Sequence, residues 1–188
     1  MTDLFDFSTF PRLYTDRLVL REIVMDNALA VFRIRGDFQV TRYNTGPAYA
    51  TIDQARKLIT GMQKSYNDHD ELRWGVTRKG GDNQVIGMVG FNYWHRKDRR
   101  GSVGYDLARA YWHQGIMSEA LRAVVAFGFE RMNLNRIEAD CTVENTASER
   151  LLLKLGFQPE GLQREQYFEE DRFWDVRLFA LLRRDYQR

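Results

Sequence analysis

The residues Tyr111-Trp112-His113-Gln114-Gly115-Ile116 end a strand-like stretch and open the longest helix-like one in the chain. The first amide N–H groups of a helix have no partner inside it, and its aligned peptide dipoles add about half a positive charge there. The chemistry such a loop offers is therefore capture of an anion, phosphate above all, and Gly115 lets the backbone approach it closely. An ordinary strand-to-helix turn has the same look, so the surroundings must decide. Further on, Asn145-Thr146-Ala147-Ser148-Glu149 starts another helix, with Thr146 and Glu149 spaced as a capping box. Ser148 precedes Leu151, Leu152 and Leu155 by three, four and seven residues, which turns its hydroxyl to the inward face. Helix capping alone would also account for an asparagine and a serine here.

Other reactive residues read as structural. Cys141 is the only cysteine, which excludes an internal disulfide and a cysteine-built zinc site. It falls on the apolar side of an alternating strand and reads as a small core residue in a protein of the reducing cytoplasm. His69, His95 and His113 lie on separate segments without metal-ligand spacing, so no metal is expected. The run His95-Arg96-Lys97-Asp98-Arg99-Arg100 reads as a solvated turn, or as a device that steers anionic groups. The four tryptophans are core or interface residues by default, and some are candidates to line a binding pocket.

Composition sets the frame for these residues. A chain of 188 residues with 44% hydrophobic, 13% aromatic and 29% charged residues is long enough to bury one substantial core. Twenty-eight basic against 26 acidic residues give a net charge of +2, which offers no global argument for nucleic acid or an anionic membrane as partner. Met1–Tyr14 is acidic and aromatic, unlike a signal peptide, and reads as a leader before one domain over 15–188. No window reaches the roughly 18 apolar residues of a membrane-spanning helix.

The elements that must position the two helix starts follow from periodicity. Strands are expected at Arg17–Ile23, Trp74–Arg78, Gln84–Trp94, Ser102–Leu107, Arg136–Val143, Phe157–Phe168 and Arg172–Leu182. Helices are expected from Asp26 to about Gly36, after a Thr51/Gln54 capping box, from Gly115 to Met132, and from Thr146 to about Leu155. In Arg136–Val143, Ile137, Ala139, Cys141 and Val143 take one face, while Arg136, Glu138, Asp140 and Thr142 take the other. The class is α+β, with seven strands in a mixed, mostly antiparallel sheet flanked by about four helices.

Three segments carry a resemblance. Gly104-Tyr105-Asp106-Leu107, then Tyr111 to Leu121, resembles the coenzyme A pyrophosphate loop of the GNAT acetyltransferase superfamily. Asn145-Thr146-Ala147-Ser148, followed by Leu153-Lys154-Leu155-Gly156-Phe157 and Glu160-Gly161, resembles the C-terminal signature of the branch that holds bacterial ribosomal-protein N-terminal acetyltransferases. Thr15-Asp16-Arg17-Leu18-Val19-Leu20-Arg21 is similar to that branch's opening, so the match runs from about Thr15 to Leu182. In the superfamily's loop pattern Gly115 matches, whereas Trp112 and Met117 depart from it and His113 stands where the branch often has glycine.

The resemblance implies transfer of an acetyl group from acetyl-CoA, as cosubstrate and without a metal, to a primary amine by direct attack. The phosphates would lie on the backbone of His113, Gln114, Gly115, Ile116, Met117 and Ser118. Asp106 and Leu107 would pair with the pantetheine arm like a neighbouring strand, Asn145 would bond its amides, and Ser148 would donate to the leaving thiolate. For the base, relatives are thought to use a glutamate on the last hairpin; the counterpart here is Tyr167, with Glu165 close by and Asp106 a third candidate. The implied acceptor is a protein N-terminal α-amine, with a ribosomal protein in view. Alternatives are a small amine (polyamine, amino acid or antibiotic) and a non-catalytic coenzyme A-binding module, and the sequence leaves a homo-oligomer open.

Overall fold

The computed structural model describes residues 5–44, 46–169 and 171–186. Met1–Leu4 of the leader and Glu170 of the last turn lie outside the described residues. Among the described residues eight strands form one sheet: β1 (Leu13–Tyr14), β2 (Leu18–Arg21), β3 (Leu72–Arg78), β4 (Gly87–His95), β5 (Arg100–Leu107), β6 (Arg136–Thr142), β7 (Gln158–Glu169) and β8 (Arg172–Leu182). Their spatial order is β1-β2-β3-β4-β5-β6-β8-β7, antiparallel throughout except for β5 beside β6. The α-helices are α1 (Ala28–Arg35), α2 (Phe38–Thr41), α3 (Ile52–Asn67), α4 (Ile116–Glu130) and α5 (Thr146–Lys154).

The expected fold class holds, with two corrections of number. The eighth strand comes from the leader: Thr15 accepts the Leu18 amide on its hydroxyl (2.9 Å) and donates its own amide to the Leu18 carbonyl, folding Leu13–Tyr14 back onto Val19–Leu20. Two residues are too few for an alternation to be read. The fifth helix is the single turn α2, started by Asp37, whose carboxylate accepts the Gln39 amide (2.9 Å) just after the Gly36 stop.

The core has two parts, one on each face of the sheet. On one, α4 buries Ile116, Met117, Ala120, Leu121 and Val124 against Trp74, Val76, Val89, Phe91 and Val103. Phe5 and Phe7 of the leader join this cluster. On the other face α1 and α3 bring Val31, Ile34, Ala55, Ile59 and Met62 onto Ile23, Val85 and Met88. Burial on this scale, about 25 cal/mol per Å² of apolar surface, holds both helix layers to the sheet.

One departure from sheet regularity positions the site. β5 and β6 pair only at Arg100↔Arg136, Gly101↔Ile137 and Ser102↔Glu138, and then part. β4 continues beside β5 as far as Leu107, and β8 stays beside β6 as far as Thr142. The sheet is thus intact on both sides of a wedge-shaped opening, whose lips are Val103–Leu107 and Ala139–Thr142. Among the described residues no helix is long and apolar enough to cross a membrane.

Candidate active site

Each lip alternates, so the two faces of the opening have different chemistry. On the α4 face, Tyr105 of β5 reaches across to α5, where its hydroxyl meets the Ser148 hydroxyl at 2.7 Å. Ser148 is buried as its helical phase requires. Burial pushes the Tyr105 phenol far above its ordinary range, so it stays protonated at neutral pH. Cys141 faces this side too, and burial raises its thiol to about 11, which suits a packing role. The cap of α5 corrects the expected Thr146/Glu149 box. Asn145 is the capping residue, its Oδ1 accepting the Ser148 amide (3.1 Å), while Glu149 turns away to an ion pair with Arg177. Asn145 therefore has its Nδ2 donors and one Oδ1 lone pair left for a ligand.

The loop into α4 is held in a fixed shape. His113 and Gly115 both adopt left-handed backbone, at φ +58° and +72°. Gly115 takes this without strain; His113 does so where a glycine would be easier. Arg17 clamps the loop from β2's side, donating from Nη1 to the Gln114 carbonyl (3.1 Å) and from Nε to Glu119 (2.6 Å). Glu119 also accepts from the Thr15 hydroxyl and the Arg17 amide. Burial opposes ionisation there, but these hydrogen bonds hold the Glu119 carboxyl below its usual range. With the loop fixed, the first amides of α4, those of Ile116, Met117 and Ser118, are left without intrahelical acceptors. Leu107 presents less than expected: its carbonyl already accepts the Trp112 indole N–H at 2.8 Å.

On the α1–α3 face the opening widens into a cleft of about 610 Å³. Its roof is α2 and the segment after it, its floor is β3 to β6, and its far wall is the β7–β8 hairpin with Tyr167, Glu169 and Trp174. Asp106 faces this side but is engaged at both oxygens, by Arg35 Nη1 (3.1 Å) and Asn44 Nδ2 (2.7 Å). It ties α1 and the post-α2 segment to β5. Glu165 is exposed in a bulge, φ +52°, with its amide on Asp175 (2.8 Å), and is not among the residues lining the cleft.

Asp140, absent from the sequence-based candidates for acid–base chemistry, lies on the β6 lip and lines the cleft. Its side chain is exposed to solvent, yet the nearby walls partly desolvate it and raise its carboxyl above the ordinary carboxylate range. Tyr167 feels the same burial, and the negative charge of Asp140 raises its phenol further. Thr142, next on this face of β6, has a buried hydroxyl with no hydrogen-bond partner among the described residues. The signal for Asp140 was its phase in β6, opposite Cys141; what sequence could not show is that β5 leaves β6 at this level. Among the described residues no cluster of three or more His, Cys, Asp or Glu is arranged to hold a metal ion.

The family model described as "Acetyltransferase (GNAT) domain" matches residues 17–158. This chain belongs to the GNAT acetyltransferase family. A GNAT relative in Bacillus subtilis, the uncharacterized N-acetyltransferase YoaA, is 36% identical over 174 residues, which is 93% of this chain and 98% of that one. Among solved structures, a GNAT-family acetyltransferase from Bacillus anthracis superposes with a TM-score of 0.81 at 26% identity, covering 92% of this chain and 98% of the other. A putative ribosomal-protein-serine acetyltransferase from Vibrio cholerae gives 0.77, also at 26% identity, over 92% and 97%. The wedge between β5 and β6 thus belongs to an acetyltransferase fold.

Proposed function

We propose that this GNAT enzyme transfers the acetyl group of acetyl-CoA directly to the N-terminal α-amine of a polypeptide, with Asp140 as general base and Ser148, backed by Tyr105, as hydrogen-bond donor to the leaving thiolate. The observation that carries the reading is the wedge itself. It has a hydroxyl pair on one face and a carboxylate lining the cleft on the other, so a thioester in the opening has a donor at its sulfur and a base near its carbonyl.

The residues fit the coenzyme. The unpartnered amides at the start of α4 and the left-handed Gly115 suit its phosphates, as P-loops and other helix N-termini suit theirs. Beyond Ser102 the edge of β5 has no β6 partner, so its backbone groups are free to pair with the pantetheine amides, and one N–H there meets the developing oxyanion. Asn145 Nδ2 donates to a pantetheine carbonyl.

The amine reaches the cleft as an ammonium and must lose a proton before it attacks. A carboxyl with a raised pKa is a better match to that task than one in the ordinary carboxylate range. Tyr167, beside Asp140, orients the amine. Ser148 donates its hydroxyl proton in a hydrogen bond to the departing thiolate, Tyr105 holds that hydroxyl in place through their shared hydrogen bond, and the thiolate takes its proton from solvent on release, the amine's proton having gone to Asp140. Engaged at both oxygens, Asp106 serves as a tether rather than as base. The similarity to the Vibrio cholerae protein, a putative ribosomal-protein-serine acetyltransferase, supports a polypeptide acceptor. The cytoplasm, where a lone buried thiol stays reduced, is the compartment this reading assigns.

The test is release of free thiol from acetyl-CoA in the presence of a panel of N-terminal peptides and small amines, for the wild type and Ser148→Ala. Turnover on peptides is expected. Ser148→Ala should lower kcat by about tenfold to a hundredfold with little change in coenzyme affinity, the scale of one charge-assisted hydrogen bond lost in the transition state. Absence of turnover with every amine would overturn the reading, and an unchanged kcat in the variant would remove Ser148 from it.

A further inference from the structure

One side chain of the cleft floor is placed for recognition rather than for folding. Arg73 of β3 stands opposite Gly90 of β4, which stands opposite Gly104 of β5. Two glycines in one row leave a bare track across the sheet. Arg73 lies along it: a Cβ added to Gly90 would meet Arg73 Cγ at 3.0 Å, and one added to Gly104 would meet Arg73 Nη2 at 3.2 Å. The guanidinium thereby crosses over β4 and reaches toward Gly104 on the lip of the wedge.

Its neighbours leave it underused. Arg73 donates from Nη2 to the Asn92 side-chain oxygen, and its buried Nε has no hydrogen-bond partner among the described residues. Glu71 forms an ion pair with Nε at 3.7 Å, beyond hydrogen-bonding range; burial raises that carboxyl's pKa and the Arg73 charge partly offsets the rise. Asn92 is the extra residue of the β4 bulge between Phe91 and Tyr93, which turns its amide to the cleft. Both Arg73 and Asn92 line the same cavity as Asp140.

The parallel register sets the remaining relation. Ser102 pairs with Glu138, so two residues further along, Gly104 and Asp140 face each other where the strands have parted. The cleft therefore holds a guanidinium above one lip and a carboxylate on the other. We propose that Arg73, with Asn92, binds an anionic group that the acceptor carries a few bonds from its amine: a carboxylate side chain in the first or second residue of a polypeptide. This rests on the reading above only in placing the amine at Asp140. Guanidinium binds carboxylate in planar, paired hydrogen bonds, and in a partly desolvated cleft such bonds discriminate strongly against a neutral isostere.

The test is calorimetric titration of the coenzyme A-saturated full chain with hexapeptides beginning Ala-Glu or Ala-Gln, and with free glutamate, alongside thiol release on the same peptides. The Glu peptide is expected to bind about tenfold or more tightly than the Gln peptide, the scale of one hydrogen bond to a charged group. In Arg73→Gln, and separately in Asn92→Asp, which supplies an internal carboxylate to Arg73, that ratio should fall to about one. Thermal unfolding checks that each variant is folded, and the second covers a failure of the first. Free glutamate binding as well as the Glu peptide would support the anion site and assign it to the amino acid. Equal binding of the Glu and Gln peptides by the wild type, no binding of either, or a preference that survives both variants would overturn the proposal. A Glu preference in binding without thiol release would leave the anion site standing and overturn acetyl transfer instead.

Discussion

Asp140→Asn is expected to lower kcat by about 10²- to 10⁴-fold, the usual contribution of a positioned general base, while coenzyme affinity stays within about twofold. Asparagine keeps the shape of the side chain and removes its capacity to take a proton. The change lies on the cleft face of β6, away from the loop that leads into α4. The pH dependence gives a second readout with a definite sign. Desolvation raises the Asp140 carboxyl above the ordinary range, so the wild type should gain activity as pH rises through that raised value, where the base becomes ionised. The variant should lose that acidic limb. A kcat within a few-fold of wild type, with the limb intact, would move the base elsewhere, and Tyr167 and Glu169 would be the next residues of the cleft to test.

Gly90→Ala is expected to destabilise the fold by about 3 kcal/mol or more, the range of forced overpacking against backbone that cannot move aside. A Cβ at this position would fall inside the van der Waals shell of the Leu72 carbonyl oxygen and 2.5 Å from Arg73 Cα, both on the adjoining strand. β3 and β4 would have to separate in the middle of the sheet, beside the fully buried Trp74 and Phe91. For a chain of this size such a loss corresponds to a drop in Tm of roughly 6–12 °C, readable by thermal denaturation. An unchanged Tm would mean that the strands accommodate a methyl group, and that the bare row beneath Arg73 is not fixed by packing.

How much of this was legible in the sequence depended on whether the cause was local. The start of α4 could be read because Gly115, the apolar stripe of Met117, Ala120, Leu121 and Val124, and the matching loop pattern all lie within one stretch. The inward phase of Ser148 followed from its spacing to Leu151, Leu152 and Leu155, and its burial agrees with that. The cap of α5 was misread for a local reason. Two capping patterns overlap by one residue, and the backbone chose Asn145, so the apparent Thr146/Glu149 box gave its glutamate to Arg177. What remained hidden depends on pairings far apart in the chain. Asp140 looked like one polar residue of an alternating strand until β5 left its side. Asp106 looked like a free carboxylate until α1 and the segment after α2 delivered Arg35 and Asn44 to it. The row Arg73, Gly90, Gly104 joins three strands, and no spacing along the chain encodes that register.

Two-substrate initial-rate kinetics, combined with the intact mass of the protein after exposure to acetyl-CoA alone, tests the central claim most directly. Attack by the amine within a ternary complex needs no acetylated enzyme, and the one cysteine near the opening has its thiol raised to about 11 by burial. Direct transfer predicts double-reciprocal lines that intersect, a protein mass unchanged by acetyl-CoA, and an acetyl group found only on the acceptor. Parallel lines together with an acetylated protein that passes its acetyl group to the amine would contradict it.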